Sequence, residues 1–156
     1  MDLLVFELQS DRFGIPVDIV RGILPAVRVT RLPGAPSLVE GVVDVHGTIT
    51  PVFDPRARFG LPPRPLAPQD HLVHALAGTR PVLLRVDRAA EVLTVAGEDI
   101  TAAADVAGGD PAITGVTRMG PDLVLIHDLE RFLSAEDSER LDRVLAERER
   151  SGGARA

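Results

Sequence analysis

The stretch GVVDVHGTITPVFD, residues 41–54, decides the fold of this chain. Its two halves are rich in β-branched residues, which favour strands, and they flank Gly47, whose backbone freedom suits a tight turn. The pattern therefore predicts a β-hairpin. Toward the N-terminus, residues 4–8 and 13–17 have the same strand composition on either side of a polar stretch. They predict an opening hairpin.

The same order of strand-forming segments returns later in the chain. Residues 72–76 match residues 4–8 in composition, and Gly115 and Asp128 each follow Gly41 and Asp54 by 74 positions. Any two hairpins rich in Val and Gly look alike, so one such match would mean little. Two matches in the same order favour an internal duplication and a mainly β fold.

Other segments connect or end these strands. Residues 18–24 place apolar side chains at helical spacing, which predicts a short helical turn. Residues 60–68 contain four prolines and predict a stiff surface connector, the best internal boundary of a single domain spanning 1–150. Residues 101–110 are expected to form a loop. Ser134 can cap a helix over 135–149, which leaves 151–156 as a disordered tail.

Composition limits the class of protein. The chain has 156 residues, 17 Lys plus Arg against 23 Asp plus Glu, and a net charge of −6, which repels nucleic acid and anionic lipid. Cysteine is absent, so disulfides and thiolate sites are excluded. No basic leader or apolar run of about 18 residues indicates secretion or membrane insertion. We expect a cytoplasmic protein.

Motifs for catalysis or cofactor binding are absent. The four histidines, His46, His71, His74 and His127, have no metal-ligand spacing, and no nucleophile elbow or phosphate-binding glycine loop occurs. The equivalent Asp54 and Asp128 could in principle form a carboxylate dyad, but their places at strand ends favour turn capping. We therefore expect no enzyme, no catalytic residue, no cofactor and no metal.

The motifs that remain carry a family resemblance. Residues 3–8, 13–17 and 41–54, together with Leu83-Leu84-Arg85-Val86-Asp87 and the segment from Gly115 to Leu129, resemble the CheW-like domain family. The resemblance implies two pseudo-symmetric, intertwined five-stranded β-barrels with short helical turns and a C-terminal helix. It also implies a non-enzymatic adaptor that couples the cytoplasmic tip of a chemoreceptor (methyl-accepting chemotaxis protein) to the regulatory domain of a CheA-type histidine kinase.

A partner-binding site follows from the resemblance. It comprises a groove of apolar side chains with a polar neighbourhood, namely Val20, Ile23, Leu24, Leu32, Gly41, Asp44 and His46. The alternative is that these aliphatic side chains are core.

Three departures from the family pattern distinguish this chain. The family's Asn-Leu-Arg-Gly is Asp44-Val45-His46-Gly47 here, its usual Glu is Gly22, and its Asp-Leu is Asp54-Pro55. Histidine is smaller than arginine and mostly neutral at pH 7, so partner choice is expected to differ. The hypothesis is a divergent member in a specialised chemosensory pathway. The competing hypothesis is a regulatory β-barrel module that binds a small molecule or a different signalling protein.

Overall fold

The computed structural model describes residues 1–102 and 111–153, which form two β-sheets, two α-helices and short 3-10 turns. The strands are β1 (Asp2–Leu8), β2 (Asp11–Pro16), β3 (Val20–Pro25), β4 (Val39–Val45), β5 (Thr48–Phe53), β6 (His71–Ala77), β7 (Arg80–Val86), β8 (Arg88–Thr94), β9 (Thr101–Ala102), β10 (Ile113–Met119) and β11 (Asp122–His127). The helices are α1 (Pro55–Phe59) and α2 (Ala135–Gly153).

The two sheets repeat one topology. The first runs β8-β1-β2-β11-β10-β9 and the second runs β3-β6-β7-β5-β4. In the first sheet the hairpin β1–β2 pairs with the hairpin β10–β11 through the parallel strands β2 and β11. In the second sheet the hairpin β6–β7 pairs with the hairpin β4–β5 through the parallel strands β7 and β5. This correspondence confirms the predicted mainly β, pseudo-symmetric architecture. The first sheet has six strands and the second has five, and within the described residues neither sheet is closed by hydrogen bonds into the predicted five-stranded barrel.

The chain leaves the first sheet after β2, forms the whole second sheet, and returns to the first sheet at β8. The first sheet takes strands from both ends of the chain, whereas the second uses the contiguous strands β3 to β7. The Pro-rich connector joins β5 to β6 inside the second sheet, and the chain passes between sheets at the 3-10 turn Val17–Ile19 and at Asp87. The connector therefore does not separate the two sheets, and the subdomain boundary placed there stays a prediction.

Apolar packing follows the alternation of the strands. Every strand of the second sheet contributes at least one side chain to a small apolar cluster on one face of that sheet. The cluster comprises Leu24, Val43, Val45, Val52, Leu72 and Leu83, with Val29 from the segment after β3. Leu3, Val95 and Ile126 form a similar cluster in the first sheet. The opposite faces pack against each other in one large core, which includes Phe6 and Phe53. Because side chains alternate along a strand, one strand serves both layers: Leu3 points into its own sheet and Leu4 points between the sheets.

Two equivalent glycines allow the chain to cross closely over β4 and β10. A Cβ on Gly41 would lie 2.2 Å from the carbonyl oxygen of Thr30, which pairs with Val42 through hydrogen bonds of 2.8 and 2.9 Å. A Cβ on Gly115 would lie 2.8 Å from Ile100 Cγ2. Both glycines follow a break in strand register. The repeated glycine therefore marks two equivalent places where an added Cβ would lie too close to a neighbouring atom.

The predicted hairpin over residues 41–54 is formed by β4 and β5. Its two-residue turn has positive φ at both positions, 51° at His46 and 88° at Gly47, as a type I′ turn requires. The Gly47 N–H donates to Asp44 Oδ1 at 2.7 Å and fixes the turn. The opening hairpin is likewise confirmed as β1 and β2.

The helical turn predicted over residues 18–24 is wrong beyond its first residues. Only Val17–Ile19 form a 3-10 turn, and Val20 to Pro25 continue as β3, paired with β6. Val92 and Leu93, the equivalents of Ile23 and Leu24, also lie in a strand, β8. The apolar run was too short to distinguish helical from strand spacing, and pairing with a neighbouring strand decided it.

The C-terminal helix begins where predicted. The Asp137 N–H donates to Ser134 Oγ at 3.1 Å, and Leu141 is buried in the large core. Helix α2 continues to Gly153, past the predicted end at 149, so residues 151–153 of the predicted tail are helical. Residues 154–156, like 103–110 of the predicted loop, lie outside the described residues, while Thr101 and Ala102 form β9. None of the described helices is long and apolar enough to cross a membrane.

A network of charged side chains holds the Pro-rich connector against the second sheet. Arg64 in the connector contacts Asp70 Oδ1 and Asp87 Oδ1, both at 2.6 Å. Arg56 of α1 donates to Asp87 Oδ2 at 2.8 Å. Burial alone would raise the pKa of Asp87, but hydrogen bonds from Arg56, Arg64 and the Gln9 backbone hold it well below its usual range.

Arg85 of β7 lies at the centre of this network and is only 1% exposed. It donates to Glu40 Oε1 and to the Arg64 carbonyl oxygen, both at 2.5 Å, and its Nε lies 3.6 Å from Asp70 Oδ2. Burial raises the pKa of Glu40, and the nearby charge of Arg85 opposes that rise. The network thus joins β4, β7 and the connector through buried charges.

Candidate partner-binding site

The structure separates the apolar residues of the predicted groove. Burial alternates along β3, so Val20 and Leu24 are partly buried while Ile23 is 46% exposed. Leu24 packs into the inner cluster of the second sheet, and Leu32 is buried in the core between the sheets. Of the four, Ile23 alone presents a largely exposed side chain to a partner. The alternative interpretation, core packing, describes Leu24 and Leu32, and Val20 also packs against the large core.

The structure also separates the other three residues of the predicted site into buried and exposed ones. Gly41 is buried beneath the crossing segment at Thr30. Asp44 is exposed, but its carboxylate is used to fix the hairpin turn. His46 lies exposed at the tip of that turn. Ile23 and His46 thus remain as the exposed candidates of the predicted set, together with Asp44.

The pseudo-symmetry reveals a second exposed position that was not predicted. Ile23 pairs with Val73 on β6, and Val92 pairs with Leu4 on β1, the strand equivalent to β6. Val92 is 58% exposed. Each sheet therefore presents one aliphatic side chain at the same place on its end strand. The matching Ile-Leu and Val-Leu pairs in the two halves were the sequence signal that could have identified Val92.

The two equivalent surfaces differ in charge. In the sequence around Ile23, residues 19–39 contain Arg21, Arg28 and Arg31 and no acidic residue. Within the described part of the chain, no ion pair involves these three arginines. Next to Val92, by contrast, Glu91 lies 3.8 Å from Arg12. We name the first the β3 surface (Arg21 and Ile23) and the second the β8 surface (Glu91 and Val92).

Strand β6, which pairs with β3, carries two histidines. His74 of β6 lies opposite Gly22 and is partly buried. Burial lowers the pKa of His74, and the nearby charges of Arg21 and His46 lower it further. His71 lies three residues away on the same strand and therefore on the opposite face, because side chains alternate along a strand. Its Nδ1 accepts a hydrogen bond from the Ala89 N–H at 2.9 Å.

Asp54 and Asp128 cap equivalent turns, as their positions predicted. Asp54 Oδ1 accepts from the Arg56 N–H at the start of α1, and Asp128 Oδ1 accepts from the Glu130 N–H, each at 3.0 Å. Pro55 occupies the first position of α1, where a missing N–H costs nothing. The Asp-Pro departure from the family pattern is therefore accommodated by the local structure.

The two caps are expected to differ in their contribution to stability. Asp54→Ala should lower the free energy of unfolding by about 2 kcal/mol, and Asp128→Ala by about 0.5 to 1 kcal/mol. Asp54 is the less exposed carboxylate and also lies 3.9 Å from Arg85. Urea denaturation of both variants measures the difference. An equal or larger loss for Asp128→Ala would contradict this assignment.

Comparison with known proteins agrees with this architecture. Residues 2–137 match the model of the CheW-like domain. The chain is 28% identical to the chemotaxis protein CheW of Klebsiella aerogenes, covering 92% of this chain and 87% of that protein. It is also 28% identical to the chemotaxis protein CheW of Treponema pallidum, covering 89% and 85%.

A solved structure shows the same fold. The crystal structure of the scaffolding protein TtCheW from Thermoanaerobacter tengcongensis superposes with a TM-score of 0.74 at 24% identity, over 81% of this chain and 87% of that one. With the family model matched from near the N-terminus into the last helix, and with both sheets in place, the chain belongs to the CheW-like domain family.

Proposed function

We propose that this chain is a non-enzymatic adaptor that couples a chemoreceptor to a CheA-type histidine kinase in a chemosensory pathway. The observation that carries the proposal is the pair of equivalent but differently charged surfaces on a duplicated scaffold. Ile23 and Val92 give each surface an apolar anchor, and the charges around them differ. Because charge complementarity governs partner choice, two such surfaces suit two different partners.

The arrangement explains how a chain without a catalytic constellation can act. The large core packs the two sheets against each other, so the two surfaces are held in a fixed relation. An adaptor of this kind works by bringing two bound proteins into one geometry. We propose that it acts in the cytoplasm and is recruited to receptor arrays through the bound chemoreceptor.

Substitution of the two anchors tests the proposal. Ile23→Asp and Val92→Asp should each weaken binding to one partner at least about tenfold, because a carboxylate at a desolvated apolar contact loses hydration. Both side chains are largely exposed, so the free energy of unfolding should change by less than about 1 kcal/mol. Binding to the co-encoded kinase regulatory domain and receptor cytoplasmic fragment is measured by calorimetry.

Leu123→Asp is the matched control, since Leu123 is 56% exposed but lies on β11, outside both surfaces. It should leave both affinities unchanged. If the unmodified chain bound neither the kinase domain nor the receptor fragment, the proposed function would be wrong. If both anchor variants bound normally, the surfaces would be wrong and the function would stand.

The departures at Gly22 and His46 support a specialised pathway. Gly22 lies on β3 beside Ile23, and His46 is exposed at the tip of the β4–β5 turn. They change size and charge relative to the usual Glu and Arg of the family. We propose that this chain prefers its own co-encoded partners over those of a general chemotaxis system. Competition between the two sets of partners for the purified chain tests this preference.

A further inference from the structure

The charge network around Arg85 contains more carboxylates than guanidinium groups. Its ion pairs join four carboxylates to three arginines, namely Glu40, Asp54, Asp70 and Asp87 with Arg56, Arg64 and Arg85. The network therefore carries an excess negative charge when every carboxylate is ionised. A proton on one carboxylate would remove that excess, and the hydrogen bonds indicate which carboxylate takes it.

Backbone hydrogen bonds favour the ionised form of the three aspartates. Each aspartate accepts one backbone N–H: Asp54 from Arg56 at 3.0 Å, Asp70 from Ala67 at 2.8 Å and Asp87 from Gln9 at 2.7 Å. A carboxylate that accepts such hydrogen bonds is stabilised as the anion. These three side chains should therefore keep their charge.

Glu40 on β4 differs from the aspartates. Its Oε1 accepts from Arg85, whereas its Oε2 is buried and has no hydrogen-bond partner among the residues that the structure describes. Burial raises the pKa of Glu40 most, the charge of Arg85 lowers it, and the charges of Asp54 and Asp70 raise it again. The net effect on this pKa is upward.

We infer that Glu40 takes up a proton at Oε2 and so stabilises the folded chain as the pH falls. Oε1 can keep its bond from Arg85, because a protonated carboxyl group still offers an acceptor oxygen. An unpartnered neutral oxygen also costs less to bury than an unpartnered charged one. The charge count and the unpartnered Oε2 carry this inference, which is independent of any partner protein.

The direction of the pH effect follows from the raised pKa of Glu40. Between its ordinary value of 4.5 and its value in the fold, the folded chain binds more protons than the unfolded chain. The stability from this group is fully present below the ordinary value and is lost as the pH rises through the folded value. Asp87 has a lowered pKa and acts in the opposite sense, but only as the pH falls below its ordinary value of 3.8.

Glu40→Gln imitates the neutral side chain and tests the inference by urea unfolding of the full chain between about pH 7.5 and 4.5. At the highest pH the variant should have the lower unfolding constant, by about tenfold for each unit by which the fold raises the pKa. The ratio of the two constants should shrink as the pH falls and Glu40 becomes protonated. Glu98→Gln is the control, since Glu98 is exposed and has no ion pair within the described part of the chain, and its ratio should not change with pH.

A second measurement does not need the variant to fold. Carbon-13 NMR of the unmodified chain follows the Glu40 carboxyl group directly, and it should titrate above its ordinary value. A titration at or below that value would overturn the inference, and so would a Glu40→Gln ratio that is constant or grows as the pH falls. Either result would leave the proposed adaptor function intact, because no partner protein takes part.

Discussion

Replacing Arg85 with methionine is expected to lower the free energy of unfolding by about 3 kcal/mol or more, because it removes a counterion from the buried Asp70 and the partly buried Glu40. The Arg85 side chain is 1% exposed and donates to Glu40 and to the Arg64 carbonyl, with Asp70 and Asp54 nearby. Methionine restores much of the volume but none of the charge or hydrogen bonds. Asp70 retains Arg64, so the loss should stay toward the lower end of the range for broken buried pairs.

The control for Arg85 is Arg21→Met. Arg21 is exposed and forms no ion pair with the described residues, so this change should cost less than about 0.5 kcal/mol. Urea denaturation should show a lower midpoint for Arg85→Met with an unchanged slope. A loss no larger than that of the control would mean that the charge network contributes no net stability.

The second large effect is expected at Gly41. Gly41→Ala should cost about 3 kcal/mol or more, because the new methyl group would lie 2.2 Å from the carbonyl oxygen of Thr30. That oxygen belongs to the backbone and accepts from the Val42 N–H, so it cannot move aside without breaking the crossing. A clash with a hydrogen-bonded backbone atom cannot be relieved by rotating a side chain.

Two other glycines provide a graded comparison. Gly22→Ala meets open space and should be neutral or stabilising by up to about 1 kcal/mol. Gly115→Ala should fall between the two, since its nearest atom is a side-chain methyl of Ile100 at 2.8 Å and that side chain can rotate. Thermal and urea unfolding of the three variants should give this order. A mild Gly41→Ala would show that the crossing is loosely packed.

The elements that the sequence could predict share a local signal. The hairpin over 41–54 combines β-branched residues with a glycine at the turn, and the repeat of Gly41 at Gly115 reflects a steric need that recurs with the fold. The helix after Ser134 has a cap and an apolar stripe. In each case the determining residues lie within one element or recur in order, so the sequence displays them directly.

The features that the sequence could not predict depend on distant partners. The apolar spacing of β3 alone predicts a helical turn, because the strand partner that decides its conformation, β6, lies about 50 positions away in the sequence. Glu40, Asp70 and Arg85 read as solvated charges until the fold buries them together. For the site, Leu32 and Ile23 are both aliphatic, and burial alone distinguishes core from surface. Val92 became a candidate through the symmetry of the two sheets.

The interlaced topology also sets an order for folding during synthesis. The second sheet is contiguous and has all its strands once residue 86 has left the ribosome. The first hairpin must wait longer, because β2 pairs in parallel with β11, where Val124 lies opposite Arg12. Until then β1 and β2 expose an apolar face that belongs to the shared core. We therefore expect the nascent chain to complete its second sheet first, with β1 and β2 among the last strands to find their final partners.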